Sequence, residues 1–441
     1  MTMRSETPEL EQFRLEFRDN GLVHLIFDAP DRTMNVFSNA AINELGLFGR
    51  WLARSEARGV VLRSGKDTAF CAGADLAELG VAYDMIVQTP PDARFNAVFE
   101  HFFRLSLAIR ALETSGKPVA AAIGGLALGG GCELALGAHY RVLVDHPRAS
   151  LGLPESLVGL LPGAGGTQRL PRLIGVEAAL PILLEGARLS GEAALRAGLV
   201  DELVAPGGEV AAAEAWLLTA KASVQPWDRV DWRAPSPADV SSALSAVRKD
   251  VLARTLGHEP APLAILDCLE FGLVQCFDGA IRSEMAIFSH LIQRAEPRNM
   301  ISTLFLGKTE FERLNRQNKT PAFVEEVVAA VRAILGRASD AAEALAAAGF
   351  VNAARSRAAP ARDRAAPGYW IDSAAEDPRR GRALAVLDCI AEAVAPWAAG
   401  RTPVELQIAD YAVVSQTGYP AYLGGPFAFG ASRAKEKPSP P

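Results

Sequence analysis

Between residues 12 and 205 the chain repeats one pattern: a short apolar run, a turn rich in small residues, then an amphipathic stretch. Phe13–Phe17 and Leu22–Phe27 read as strands joined at Asn20-Gly21, a tight-hairpin signal. Residues 40–56 carry Ile42, Leu45, Leu47, Phe48, Trp51 and Leu52 at helical spacing. Gly59–Arg63 is a strand, residues 99–112 an amphipathic helix, residues 118–123 a small-residue strand running into glycines, and Tyr140–Val144 a further strand. Strands that alternate with helices need crossover connections, so the fold class is α/β.

Beyond residue 205 the pattern changes. Residues 206–260 are richer in Ala, Pro and polar residues, and Ala234-Pro235-Ser236-Pro237 reads as a linker or surface loop. Residues 261–320 are strongly helical, with Ile265, Leu266, Leu269, Leu273 and Val274 on one face and Ile281, Met285, Phe288 and Leu291 on the next. Residues 322–349 read as Ala-rich helix, residues 354–367 as a mobile Ala/Arg/Pro connector, and residues 438–441 as a disordered tail. At 441 residues the chain is too long for one ordinary core.

Composition narrows the partners. Forty-five basic against 51 acidic residues give a formal charge of −6, which argues against nucleic acid or an anionic membrane. No apolar run reaches spanning length, and the N-terminus has no secretory h-region. Five unpatterned cysteines, none paired at zinc-ligand spacing, point to a reduced cytoplasmic compartment and no metal site.

Two glutamates carry the chemical signal. Glu133 follows Gly129-Gly130-Gly131-Cys132, and Glu155 opens the run Pro154-Glu155-Ser156 to Pro162-Gly163-Ala164-Gly165-Gly166-Thr167-Gln168-Arg169-Leu170. They lie about twenty residues apart. Two carboxylates held where backbone approaches closely suggest one proton taken and one given. The glycines before Glu133 lead into a helix, whose first N–H groups lack intrahelical partners, so Gly130 is placed to donate to an oxyanion. Alone, that run favours a phosphate loop or tight strand–helix packing. A second donor is the N–H of Ala74 in Thr68-Ala69-Phe70-Cys71-Ala72-Gly73-Ala74-Asp75-Leu76, where an ordinary small-residue turn reads equally well.

In their order and spacing, the Ala-Gly-Ala-Asp-Leu, Gly-Gly-Gly-Cys-Glu-Leu-Ala and Pro-Glu-Ser…Pro-Gly-Ala-Gly-Gly-Thr-Gln-Arg-Leu segments resemble the crotonase (enoyl-CoA hydratase/isomerase) superfamily over residues 12–205. The resemblance implies a ββα spiral core followed by a mostly helical C-terminal region. It implies that Ala74 and Gly130 hold a thioester oxygen and that Glu133 and Glu155 are the catalytic carboxylates of a hydratase. It also implies a coenzyme A surface at Met34, Asn35, Val36, Ala72, Asp75 and Leu76, and an acyl-tail wall along Leu79–Phe103 with Tyr83, Met85, Ile86, Phe95, Val98, Phe99 and Phe102. For Val98, Phe99 and Phe102, plain core helix reads at least as well. His139 stands where the family often has aspartate, a change that bears on packing rather than chemistry.

Residues 264–313, with Asp267–Leu273, Phe277–Glu284 and Arg298–Leu306, resemble the linker helix after the hydratase half of multifunctional fatty-acid-oxidation α-subunits. In that branch a nicotinamide-binding domain comes next. Here no strand with G-x-G-x-x-G follows Leu306, and residues 410–427 only weakly resemble the helical half of the dehydrogenase part. The implied division is a crotonase core over 1–205, a linker and helical extension over 206–320, and a degenerate dehydrogenase C-terminal region over 321–441. No NAD is expected, and coenzyme A enters as the substrate's carrier. His101-Phe102-Phe103 is similar to the dehydrogenase histidine motif but lies inside the crotonase region. The expected partners are an acyl-CoA and either further copies of the chain or a thiolase-like subunit. Hydration of a 2-enoyl-CoA leads. A Δ3–Δ2 isomerase and a non-catalytic acyl-CoA-binding or assembly subunit stay open.

Overall fold

The computed structural model describes residues 7–220, 223–338, 341–350 and 378–436. The expected connector over 354–367 and the tail at 438–441 lie outside the described residues.

The chain divides into two compact units. The first comprises residues up to Leu244 together with Ala264–His290. Strands β1 (Phe13–Phe17) and β2 (Leu22–Phe27) form the expected antiparallel hairpin. β2 then pairs in parallel with β3 (Gly59–Ser64), and the six-stranded sheet continues through β5 (Val119–Ile123), β7 (Tyr140–Val144) and β10 (Glu202–Val204). A second sheet holds β4 (Ala69–Cys71), β6 (Leu126–Leu128), β8 (Leu151–Gly152) and β9 (Arg188–Leu189), with β4, β6 and β8 parallel. From β3 to β8 each repeat thus gives one strand to the large sheet and the next to the small one, followed by a helix or helical turn. The inner strands β2, β3, β5 and β7 are buried nearly throughout, as expected for strands covered on both faces, while the edge strands β1 and β10 are only partly covered.

The helices of this unit fill the crossovers. α1 (Asn39–Leu52) starts on the Ser38 hydroxyl, which accepts from Ala41 N. α2 (Leu76–Gln88) starts on Asp75. α3 (Pro91–Glu113) begins eight residues before the expected Phe99, because Pro91 at the first helical position is pre-set for helix. α4 (Gly130–Leu136) follows β6, a short 3-10 turn (Pro154–Val158) follows β8, and α5 (Gly166–Ile174), α6 (Val176–Glu185) and α7 (Gly191–Arg196) complete the spiral. α8 (Glu209–Thr219) lies in the region read as Ala- and Pro-rich extension. Its Ala213 and Leu217 cover Leu22, Val61, Ala120, Ala122 and Val142 on the large sheet. After α9 (Pro237–Thr255), the helices α10 (Pro260–Gly272) and α11 (Phe277–Leu291) bring residues 264–290 into this unit.

The second unit holds Ser245–Leu263 and residues from Leu291 onward, all helical among the described residues. α12 (Ala295–Met300) runs through a π-helical turn (Ile301–Gly307) into α13 (Lys308–Arg316). Then come α14 (Phe323–Arg337), α15 (Ala342–Ala347), α16 (Pro378–Val394), α17 (Pro403–Thr417) and α18 (Pro426–Glu436). The single Ala-rich helix expected over 322–349 is two helices; Gly336 weakens the last turn of α14. Val327, Val331, Ile390, Ile408, Ala412 and Val413 centre the core. Asp410 is buried there, and its two oxygens accept the N–H groups of Phe427 and Ala428 at the start of α18, at 2.8 and 3.1 Å. Among the described residues no helix is long and apolar enough to cross a membrane.

Candidate active site

The three segments singled out in the sequence leave the same ends of three adjacent parallel strands. Ala74 follows β4, Gly130 and Glu133 follow β6, and Glu155 follows β8. Parallel pairing puts the carboxyl ends of these strands side by side, so segments distant in sequence converge without any contact of their own to draw them together.

At the first segment, residues 35–37 run beside residues 72–75. Ala72 N donates to Asn35 O, Phe37 N to Gly73 O and Asp75 N to Phe37 O, at 2.9, 2.8 and 3.0 Å. In this parallel bridge Phe37 faces Ala74, and the bonds come from Ala74's neighbours. Ala74's own N–H therefore points away from the ribbon. Gly73 has φ +103°, and a Cβ built on it would stand 3.2 Å from Leu128 O and 3.9 Å from Gly130 N. The two candidate oxyanion donors thus lie on facing backbones that approach closely through glycine.

The sequence-predicted coenzyme A residues share this ribbon, but their side chains serve the fold. Asn35 is fully buried; its amide donates to Phe27 O and Ser64 Oγ, and its Oδ1 accepts from Ala29 N. Asp75 accepts from Ala77 N and from Arg32 Nη2, at 3.0 and 2.6 Å. Met34 is exposed, Val36 and Ala72 are half-buried, and the Leu76 side chain lies outside the described ones.

Glu133 sits in the first turn of α4 and is 2% exposed. Its Oε1 accepts from Ala164 N at 2.7 Å and Gly166 N at 2.8 Å, at the start of α5. Burial pushes its carboxyl up to about 7, against the pull of those N–H groups and of Arg169. Glu155 lies on the 3-10 turn. Its Oε1 is 2.7 Å from where a Cβ on Gly129 would stand, and its buried Oε2 has no hydrogen-bond partner among the described residues. Burial first, then the charge of Glu133, raise the Glu155 carboxyl well above the usual range. Two carboxyls that resist ionisation together behave as one coupled acid–base unit.

Sequence reasoning passed over the supports of this pair. Arg169 is fully buried against Glu113 of α3, with Nε and Nη2 on the two carboxylate oxygens at 3.1 and 2.9 Å; its Nη1 donates to Ala164 O. Breaking such a buried pair leaves an uncompensated charge, so the geometry of the 164–166 turn is tied to α3. Glu284, on α11, is also fully buried and accepts from Gly165 N and Thr167 N. The signal for it was a carboxylate within the apolar face Ile281, Met285 and Phe288. The expected acyl wall is mixed: Tyr83, Ile86 and Val98 are buried, while Phe95, Phe99 and Phe102 are half-buried, with Phe102 against Phe288 of α11 at 5.1 Å between rings. His139 is in a structural role, its Nδ1 accepting from Val119 N at 3.1 Å. Among the described residues no group of three or more His, Cys, Asp and Glu is placed to hold a metal ion.

Comparison with known proteins bears on the region that carries this geometry. The sequence profile of the family described as enoyl-CoA hydratase/isomerase matches residues 18–227. Residues 18–227 belong to the enoyl-CoA hydratase/isomerase family. A protein of Shewanella amazonensis named fatty acid oxidation complex subunit alpha is 35% identical over 305 residues, 68% of this chain and 42% of its own length. A protein of the same name from Shewanella sp. ANA-3 is 34% identical over 321 residues, 72% of this chain and 44% of its own. The chain spans less than half the length of these curated relatives. Among solved structures, Pseudomonas aeruginosa DspI is 27% identical, covering 59% of this chain and 93% of its own, with a TM-score of 0.42. An enoyl-CoA hydratase from Bacillus halodurans is 22% identical, covering 66% of this chain and 98% of its own, with a TM-score of 0.46.

Proposed function

We propose that the hydratase/isomerase region adds water across the 2,3 double bond of a 2-enoyl-CoA to give a 3-hydroxyacyl-CoA. The observation that carries this is the pair of buried carboxyls: Glu133 held by two N–H groups, and Glu155 with an unpartnered oxygen beside it.

The thioester oxygen binds the N–H groups of Ala74 and Gly130. As the water oxygen bonds to C3, Glu133 takes the water proton and the π electrons move to the thioester oxygen. One such donor is worth about 3 kcal/mol of transition-state stabilisation in a dry site. The enolate then collapses and C2 takes a proton from Glu155. Proton transfer between the two glutamates restores the starting state. A carboxyl that gives a proton must hold one near neutral pH, and Glu155's raised affinity supplies that. Glu133 must be ionised to act, so the rate rises with pH through about 7.

Met34, Asn35, Val36, Ala72, Asp75 and Leu76 border the coenzyme A arm in this reading, chiefly through backbone. The reaction consumes no nicotinamide, and a titration showing NAD binding would count against it. The name of the Shewanella relatives supports membership of a fatty acid oxidation complex; a thiolase-like subunit or further copies of this chain as partner, and a cytoplasmic location, belong to the same proposal. The isomerase reading needs only one carboxylate to carry a proton between C2 and C4. The test is turnover of purified protein on short- to long-chain 2-enoyl-CoA, followed as loss of enoyl-thioester absorbance, with Glu133→Ala alongside. No hydration at any chain length sinks the reading. Hydration lost in the variant while Δ3–Δ2 isomerisation is fully retained would mark the isomerase.

A further inference from the structure

The start of α5 presents four successive N–H groups, and two carboxylates divide them in alternation. Ala164 and Gly166 donate to Glu133 Oε1, at 2.7 and 2.8 Å. Gly165 donates to Glu284 Oε1 at 2.7 Å and Thr167 to Glu284 Oε2 at 3.1 Å. The Thr167 hydroxyl also donates to Glu284 Oε2, and accepts from Gln168 Nε2 at 2.9 Å. Gln168 Nε2 in turn reaches Cys268 O on α10 at 2.9 Å. Helix-start N–H groups have no intrahelical partners, so each must find an acceptor elsewhere. Here every second one is taken by a reacting group and the others by a residue more than a hundred positions further along the chain.

We propose that Glu284 is a positioning residue for hydration: it holds Gly165 and Thr167 of this turn and thereby fixes Ala164 and Gly166 on Glu133. The inference rests on the hydratase reading of the site. Adjacent peptides in one turn cannot rotate independently, so releasing two N–H groups loosens the other two. Three donors aimed at Glu284 favour its ionised form, against burial and the charge of Glu133, which push it up to about 8. Glu284 thus holds its proton where Glu133 ionises, and it acts on Glu133 through the shared turn, whose N–H groups lower Glu133's proton affinity.

Other charged or titratable groups face this cluster. They are Cys132 beside Glu133 on α4, Arg169 and Arg172 on α5, Cys268 on α10, and Glu113 with Arg110 on α3 behind Arg169. Of the carboxylates, Glu113 is neutralised by its bidentate arginine, which leaves Glu284 as the carboxyl that shares the turn with Glu133. A carboxylate that merely capped α5 would affect melting alone when replaced. A positioning residue also affects kcat and the pH profile.

The experiment compares Glu284→Gln and Thr167→Val with the wild-type full chain. In Glu284→Gln, kcat falls about tenfold or more while KM moves less than about twofold, and the acid limb of kcat/KM shifts to higher pH, because the loosened Ala164 and Gly166 N–H groups lower the proton affinity of Glu133 less. In Thr167→Val, which keeps Glu284 and removes one of its three donors, kcat falls less and the limb moves less. A folded Glu284→Gln protein with wild-type kcat and an unmoved limb overturns the proposal. Should that variant fail to fold, Thr167→Val decides: wild-type kcat overturns the proposal and a reduced kcat supports it. If the wild-type chain hydrates nothing, the hydratase reading fails separately. The infrared titration of the Glu133 carboxyl, assigned with Glu133→Gln, then judges Glu284, and a band that titrates identically in wild type and Glu284→Gln overturns its role.

Discussion

Each unit buries a carboxylate on two N–H groups at the start of a helix: Glu133 on Ala164 and Gly166, Asp410 on Phe427 and Ala428. Burial raises both, to about 7 and about 8. By donor count, burial and proton affinity the two are near twins. What separates them is company. Glu133 stands at the carboxyl ends of parallel strands, with Glu155's unpartnered oxygen and two glycine backbones beside it. Asp410 stands between two helices of a packed core, with both oxygens in use. The buried Tyr419 hydroxyl near Asp410 also lacks a hydrogen-bond partner among the described residues, so an unsatisfied neighbour alone does not mark a site; a second raised carboxyl at the strand ends is what singles out Glu133.

The largest expected difference comes from removing the proton acceptor. Glu133→Gln lowers kcat for hydration by roughly 10²–10⁴, with melting changed little, whereas Asp410→Asn leaves hydration unchanged. Equal losses in both variants would erase the contrast. Glu155→Gln comes next, with a fall of roughly 10²-fold that spares the binding of an unreactive acyl-CoA, measured by calorimetry. On the other side of the comparison, Asp410→Ala strips two N–H groups of their acceptor. It destabilises the C-terminal unit by about 1–3 kcal/mol in denaturant unfolding.

The smallest effect is one of pH. Asp410 is raised from 3.8 to about 8, so its contribution to stability is complete below about pH 4 and is lost as pH rises through 8. The C-terminal unit should therefore melt lower at pH 9 than at pH 6, and Asp410→Asn should flatten that difference. A wild-type unit with equal melting at both values would refute the assignment of that proton.

Much of the spiral was legible because its strands are short, apolar and bounded by turn residues: β1, β2 and β7 fall on the expected residues. The glutamates were legible through their glycines. α8 was not, because Ala213 and Leu217 are its only fully buried positions and its remaining alanines give no face. Nor was Glu284, since one acidic residue in an amphipathic helix reads as solvent-facing until the surrounding elements are known. Arg169 and Glu113 escaped for the same reason: ion pairs between distant segments leave no local period.

The glycines at 129 and 166 have a further consequence. A Cβ on Gly129 would stand 2.7 Å from Glu155 Oε1, and one on Gly166 would stand 2.8 Å from Glu133 Oε1. The two carboxyl oxygens occupy the volume that a pair of methyl groups would claim. These glycines act as moulds for the reacting oxygens: an alanine at 166 would press on Glu133 and on Pro162 Cβ alike, and one at 129, where φ is +53°, would displace Glu155 and strain the turn as well.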